Sequence, residues 1–361
     1  MHIPENYLSP ATCGVMGAAM VPVWAHAVKK VNEELPKDKI PLLGVGAAFS
    51  FLGMMFNVPL VGGATGHAVG GTLIALLFGP NAACIAVSIA LLLQAIIFGD
   101  GGILAFGANC FNMAFVLPYV GYAVYRLIVR MAGGDLAKDR VHYIAAAIGS
   151  YIGINAAAFC ASVEFGIQPL LFKDAAGNAL YCPYDLTVSV PAMMIPHLAV
   201  AGIIEAVFTC LLYTSPSPRD EAVFTVAVFA FVKKTSPDLT YQSILTGGEN
   251  ANTTKKHMPV FALIALLIAA TPLGLLATGT AWGEWGSDEI ADIVTNGSVL
   301  GYTPKGLAEG WSLSVLMPDY AVSGMNEVIA YILSALICVA LLIIIFKLIS
   351  IPMKGRNHYA S

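Results

Sequence analysis

Asn81-Ala-Ala-Cys-Ile-Ala-Val-Ser-Ile-Ala-Leu-Leu-Leu-Gln-Ala-Ile-Ile-Phe-Gly99 carries no charged side chain. A helix needs about 20 such residues to cross a hydrocarbon core some 30 Å thick. Comparable apolar runs stand at 8–28, 40–56, 68–79, 107–131, 141–161, 190–231, 258–279 and 325–348, with 68–79 too short to cross at full length and 190–231 interrupted. Across the 361 residues, 58% are hydrophobic and only 11% charged, and the mean hydropathy is +0.77. Soluble domains carry about 25% charged residues. The expected fold is an all-α integral membrane protein. It comprises a seven-helix bundle over 1–235, a polar cytoplasmic linker over 236–257, and a C-terminal two-helix hairpin over 258–361 whose exterior loop is 280–324.

Basic residues orient the chain. With the N-terminus exterior and each run changing sides, Lys29, Lys30, Lys37, Lys39, Arg126, Arg130, Lys138, Arg140, Lys233, Lys234, Lys255, Lys256, Lys347, Lys354 and Arg356 all face the cytoplasm. Lys173 and Lys305 fall outside, so the positive-inside rule is strongly obeyed. No basic segment precedes the first apolar run, so a cleaved signal peptide is not expected and Met1 should persist. The seven cysteines are scattered singly, mostly in apolar runs, and read as packing residues. The run 190–231 contains Glu205-Ala-Val-Phe-Thr209 repeated as Glu221-Ala-Val-Phe-Thr225, with Ser-Pro-Ser-Pro between. Removing 210–225 restores one uninterrupted helix ending at Lys233-Lys234, so this stretch reads as an artefactual or duplicated insert.

The exterior N-terminus is Met1-His2. A free α-amine, the amide nitrogen of residue 2 and the His2 imidazole can close two chelate rings on one cation. Such nitrogen-rich, tetragonal or square-planar sets suit Ni(II), Cu(II) or low-spin Co(II) rather than Mg or Ca. The best-placed fourth ligand is His67, on the same side, within Asn57-Val-Pro-Leu-Val-Gly-Gly-Ala-Thr-Gly-His67-Ala-Val-Gly-Gly71. Irregular backbone at membrane depth is tolerated where it is buried in protein or lines a cavity, so this segment is expected to be a re-entrant loop tipped by His67, with Asn57 at its start.

Other polar residues carry two readings each. Asp100, before Gly101-Gly102, is expected to cap a helix, or else to hydrogen-bond a ligand imidazole. Asn109 and Asn112, three apart, are expected to be interhelical hydrogen-bonders and loop anchors. Glu205 lies mid-span, where a carboxyl is a functional candidate; a pairing with His197 is the structural alternative. The chain has no GxxxxGK[ST] phosphate loop for ATP hydrolysis. It also lacks the basic, aromatic-interleaved patch of a nucleic-acid binder.

Four stretches carry a specific resemblance: MHIPENYLSP at the start, NVPLVGGATGHAVGG around His67, FGDGGILAFGANCFNMAF at 98–115 and PHLAVAGIIEA at 196–206. In this order they resemble the CbiM/NikM family, the substrate-binding membrane component of energy-coupling-factor cobalt or nickel transporters. The resemblance implies metal held by the Met1 amine, the His2 amide and imidazole, and His67. Asn6 stands where many relatives have Gly. TPLGLLATGTAWGEWG at 271–286 is similar to the C-terminal extension of longer members. The family implies Co(II) or Ni(II) as transported substrate, a transmembrane coupling (T) subunit, cytoplasmic ATP-binding subunits, and a multi-pass location among the lipids of a prokaryotic plasma membrane. The chain itself would then be a non-catalytic subunit. Two rival readings are an intramembrane metalloenzyme using His67, Asp100 and Glu205, and a proton-coupled secondary transporter using Glu205 as relay.

Overall fold

The computed structural model describes residues 1–60, 65–134, 139–213, 258–277, 280–295 and 298–351. The insert from residue 214 onward, the linker 236–257 and the lysine pairs at 233–234 and 255–256 lie outside the described residues.

Local sequence explains where the helices start. Helix α1, Pro10–Glu34, is capped by Ser9, whose Oγ accepts from the Thr12 amide at 3.1 Å, with Pro10 in the first turn. Helix α2 is Ile40–Met55 and α3 is Gly71–Phe78, only eight residues long. Between them Val58–Pro59 (β1) pairs antiparallel with Thr65–Gly66 (β2). The expected re-entrant loop is therefore a short hairpin. Helix α4, Pro80–Phe98, takes in the apolar run from Asn81 to Phe98, with Gly99 as its C-cap; α5 is Phe106–Met131, α6 Arg140–Leu171 and α7 Leu186–Thr209. Helix α8, Met258–Ala270, is prolonged by a 3₁₀ segment at Thr271–Leu276, and α9 is Glu327–Ser350, capped by Asn326.

Among the described residues, six helices (α1, α4, α5, α6, α7 and α9) are long and apolar enough to cross a membrane, and two shorter apolar ones lie at Ile40–Met55 and Phe261–Leu276. Helix α6 runs past the expected end at residue 161. Glu164 and Gln168 lie in this continuation, and both are buried and bonded within the protein. Helix α7 begins at residue 186 rather than 190, because Asp185 accepts from the Thr187 amide at 2.9 Å and caps it.

Close packing rests on small residues, as in membrane bundles generally. A Cβ on Gly153 of α6 would lie 2.6 Å from the Leu117 carbonyl oxygen, so α5 and α6 meet backbone to backbone. Helix α9 packs along α2. Three helices contain π-helical turns, at Gln94–Phe98, Cys110–Val116 and His197–Ala201. Such turns often mark functional sites. Each begins at or beside a polar residue: Gln94, Asn109 and His197. Cys13, Cys84, Cys110, Cys160, Cys182 and Cys338 are free, and all but Cys160 are buried. Glu284, Trp285 and Trp311, all beyond α8, bond to Met1, Tyr7 and Asn6, so this region folds back over the start of the chain.

Candidate metal centre

Residues 1–9 form an arm that enters the bundle rather than lying on it. Met1, His2, Ile3, Tyr7, Leu8 and Ser9 are all buried. The side-chain amide of Asn109 treats Ile3 as a strand partner: Oδ1 accepts from the Ile3 amide at 2.7 Å and Nδ2 donates to the Ile3 carbonyl at 3.0 Å. The Gly102 amide donates to the same carbonyl at 2.9 Å. A Cβ on Gly102 would stand 2.7 Å from the backbone N and Cα of Glu5, which explains a Gly there. Glu5 accepts from the amides of Ile103 at 2.7 Å and Leu104 at 3.2 Å. At Asn6 the chain turns through φ +65, a left-handed conformation that Asn tolerates better than most residues, and its Nδ2 donates to the Trp311 carbonyl at 2.9 Å. Further along, the Tyr7 hydroxyl donates to the Trp285 carbonyl at 2.8 Å and the Ser9 amide to Gln168 Oε1 at 3.0 Å. These bonds fix the register, and so the position of residues 1 and 2.

His2 and His67 converge. His2 Nδ1 lies 3.2 Å from His67 Nε2, with ring centroids 4.9 Å apart, and 3.2 Å from Asp100 Oδ1. A carboxylate only accepts, so the proton on this edge belongs to His2 Nδ1, with Asp100 Oδ1 and His67 Nε2 as its acceptors. Neighbouring ligands of a square-planar ion with metal–nitrogen bonds of about 2.0–2.1 Å are roughly 2.9 Å apart. A cation replacing that one proton would meet two imidazole nitrogens at nearly the required separation. Burial is the main cause holding His67 well below the ordinary imidazole range, with His2 and the terminal ammonium adding to it. It therefore stays neutral, the form in which imidazole binds metals.

The Met1 amine donates to Glu284 Oε1 at 3.0 Å. Met1 also lines a void of about 10 Å³ with Thr65, Met193, His197 and Trp282, room for about one water. An ammonium has no lone pair, so coordination requires it to lose a proton and leave this partner. Among the described residues no group of three or more His, Cys, Asp and Glu side chains is arranged to hold a metal.

The other candidates divide. Asp100 is not a helix cap: α5 begins after Ala105 without a side-chain cap, and the carboxylate is turned towards His2. Its Oδ2 accepts from Gln94 Nε2 at 3.1 Å and from the Tyr320 hydroxyl. Glu205 does not pair with His197. Its carboxyl accepts from the amides of Val69 at 2.8 Å and Gly70 at 3.0 Å, at the start of α3, where unsatisfied amides favour an acceptor. His197 instead engages the Met193 carbonyl at 2.8 Å, one helical turn back. Asn112 Nδ2 donates to Glu164 Oε2 at 2.8 Å, an interhelical bond as expected. The Asn57 amide donates to the Met55 carbonyl at 3.2 Å, just past the end of α2.

Sequence reasoning missed Glu284, Glu5, Gln94, Glu164 and Tyr320. For Glu284 a signal existed: it is the one acidic residue inside Trp282-Gly-Glu-Trp285, on the exterior side with Met1. Trp282 and Trp285 pack edge-on at 5.8 Å, and Phe165 links Trp282 to Tyr7 of the arm.

Residues 2–215 match the family model described as the cobalt uptake substrate-specific transmembrane region, and residues 255–354 match the PDGLE domain. The probable fused nickel transport protein LarMN of Lactiplantibacillus plantarum is 45% identical over 349 residues, 96% of this chain and 97% of that one. The fused nickel transport protein NikMN of Rhodobacter capsulatus is 43% identical, covering 95% of each chain. A solved structure of a truncated transition metal transporter shares 56% identity with a TM-score of 0.55, over 59% of this chain and 96% of that chain. With a family model spanning most of its length and relatives matched almost end to end, the chain belongs to the CbiM family and joins that transmembrane region to a C-terminal PDGLE domain.

Proposed function

We propose that this chain is the metal-capturing membrane component of an ATP-driven, energy-coupling-factor type importer of Co(II) or Ni(II). The observation that carries the reading is the meeting of His2 Nδ1 and His67 Nε2 at 3.2 Å, beside a buried terminal amine. The relatives' names, as nickel and cobalt transport proteins, support the same cargo. Residues 1–235 form the metal-binding seven-helix domain with an exterior N-terminus, and 258–361 add a helical hairpin with its loop outside. The Met1 amine, the His2 amide and imidazole, and His67 hold the ion. A transmembrane coupling subunit and cytoplasmic ATP-binding subunits then drive its release inward.

Cells that lack their own importer should accumulate radiolabelled Ni(II) only when this chain is expressed with the coupling and ATP-binding subunits. Accumulation with this chain alone would contradict the reading and favour a secondary transporter.

Capture should also depend on pH in one direction. The amine and the amide must shed protons to coordinate, so protons compete with the metal and affinity falls on acidification. His67 sits below its ordinary range and is not what limits binding. Ni(II) affinity of the purified chain should therefore rise steadily from pH 5 to pH 8, measured by calorimetry. A flat profile would argue against nitrogen ligands that must deprotonate.

A further inference from the structure

Tyr320 belongs to the C-terminal loop, 318 positions from His2 in sequence, yet its hydroxyl donates to the Asp100 carboxylate, whose other oxygen faces His2. The same hydroxyl accepts from Gln94 Nε2 at 3.1 Å, and Gln94 Nε2 also reaches Asp100 Oδ2 at 3.1 Å. Both donors occupy Oδ2, which leaves Oδ1 as the oxygen turned to the imidazole. The phenol ring is buried among Phe98 (4.6 Å between centroids), Tyr331 (5.4 Å) and Phe51 (6.3 Å).

The backbone is unusual at this point. Asp319 and Tyr320 adopt φ +50 and +62, a left-handed pair without glycine. Such residues persist where surrounding contacts over-determine them. Here Ser334 Oγ donates to the Tyr320 carbonyl at 3.0 Å, and the Met317 amide donates to the Ile97 carbonyl at 2.9 Å. The loop is thus pinned to both α9 and the end of α4 with the hydroxyl at Asp100.

Charge gives this arrangement a purpose. A divalent ion on a neutral amine, one deprotonated amide and two neutral imidazoles leaves a net single positive charge in a buried place. Buried charge is costly unless it is paired. The Asp100 carboxylate beside His2 and the Glu284 carboxylate beside the Met1 amine supply the opposite charge.

We infer that Tyr320 is a positioning residue for metal capture, acting through Asp100: the C-terminal PDGLE region supplies the hydroxyl that aims the charge-balancing oxygen at the metal centre. This rests on the proposed site of Met1, His2 and His67. Groups that orient a ligating imidazole through its other nitrogen are worth about 10–100-fold in metal affinity; Asp100 stands beside the coordinating Nδ1 and acts by charge, with an effect of about that order expected.

The test is a double-mutant cycle on the full chain with Ni(II) as the probe. Tyr320→Phe keeps the ring contacts and removes only the hydroxyl. It should weaken Ni(II) binding about 10-fold while leaving the metal-free thermal midpoint close to that of the parent. Asp100→Asn should weaken binding at least as much, and adding Tyr320→Phe to it should change affinity little further. Unchanged affinity in Tyr320→Phe overturns the inference, as does an equal loss with and without the Asp100 carboxylate. Were Tyr320→Phe not to fold, unchanged affinity in Asp100→Asn alone would overturn it. Failure of the site itself looks different, because the parent chain would then bind no Ni(II) or would bind it independently of His67.

Discussion

Glu205→Ala is expected to destabilise the folded chain by about 2–6 kcal/mol, because it strips the acceptor from two buried amides at roughly 1–3 kcal/mol each. Those amides belong to Val69 and Gly70, two and three residues after His67. The segment is held from both sides, since Ser50 Oγ also donates to the Val69 carbonyl at 2.6 Å. Gly70 has φ +70 and heads α3, so the carboxyl fixes both the start of that helix and the exit of the His67 hairpin. Loss of Ni(II) affinity should therefore accompany loss of thermal stability. Glu205→Gln retains one acceptor but brings an NH₂ group against the amides, and should show a smaller version of both effects. A proton relay predicts otherwise: Gln would abolish uptake with stability and metal affinity intact. Thermal unfolding in detergent together with equilibrium Ni(II) binding separates the two.

The helices were legible because membrane burial imposes a simple rule. An apolar run long enough to cross must satisfy its own backbone, so length and apolarity alone find it. The rule fails where polar residues are buried against one another. The run expected to end at residue 161 stops short of Glu164 and Gln168, which are interior contacts of α6. The encounter of His2 with His67 was also readable, since chelate chemistry needs only the first two residues and a fourth ligand on the same side. Partners of carboxylates were not readable. Asp100 as a cap and Glu205 with His197 were local guesses along the chain. The actual partners, Tyr320 for Asp100 and the Val69–Gly70 amides for Glu205, are 220 and over 130 residues away. Nothing in spacing along the chain encodes a contact made by a returning loop.

Tyr320 and Glu284 bear on why the two regions are fused. Both come from the C-terminal loop and reach opposite members of the candidate ligand set, one through Asp100 and the other at the Met1 amine. A covalently attached loop keeps these groups at the site at a high effective concentration.

The central claim is that the terminal amine itself is a ligand, and it concerns position rather than side chain. On that claim the Met1 thioether is not a ligand, so substituting the Met1 side chain would miss the question. The direct measurement is equilibrium Ni(II) binding by the purified chain bearing Gly-Ser ahead of Met1. Two residues are needed. A single added residue would leave an amine, two amides and the His2 imidazole able to close a four-nitrogen chelate without His67. The arm is held by Ile3–Asn109, Tyr7–Trp285 and Ser9–Gln168, so the extension displaces the amine while every side chain keeps its partner. The expected result is an affinity loss beyond the roughly 10–100-fold attributed to outer-sphere partners. Retention of the parent affinity by the extended chain would contradict the account.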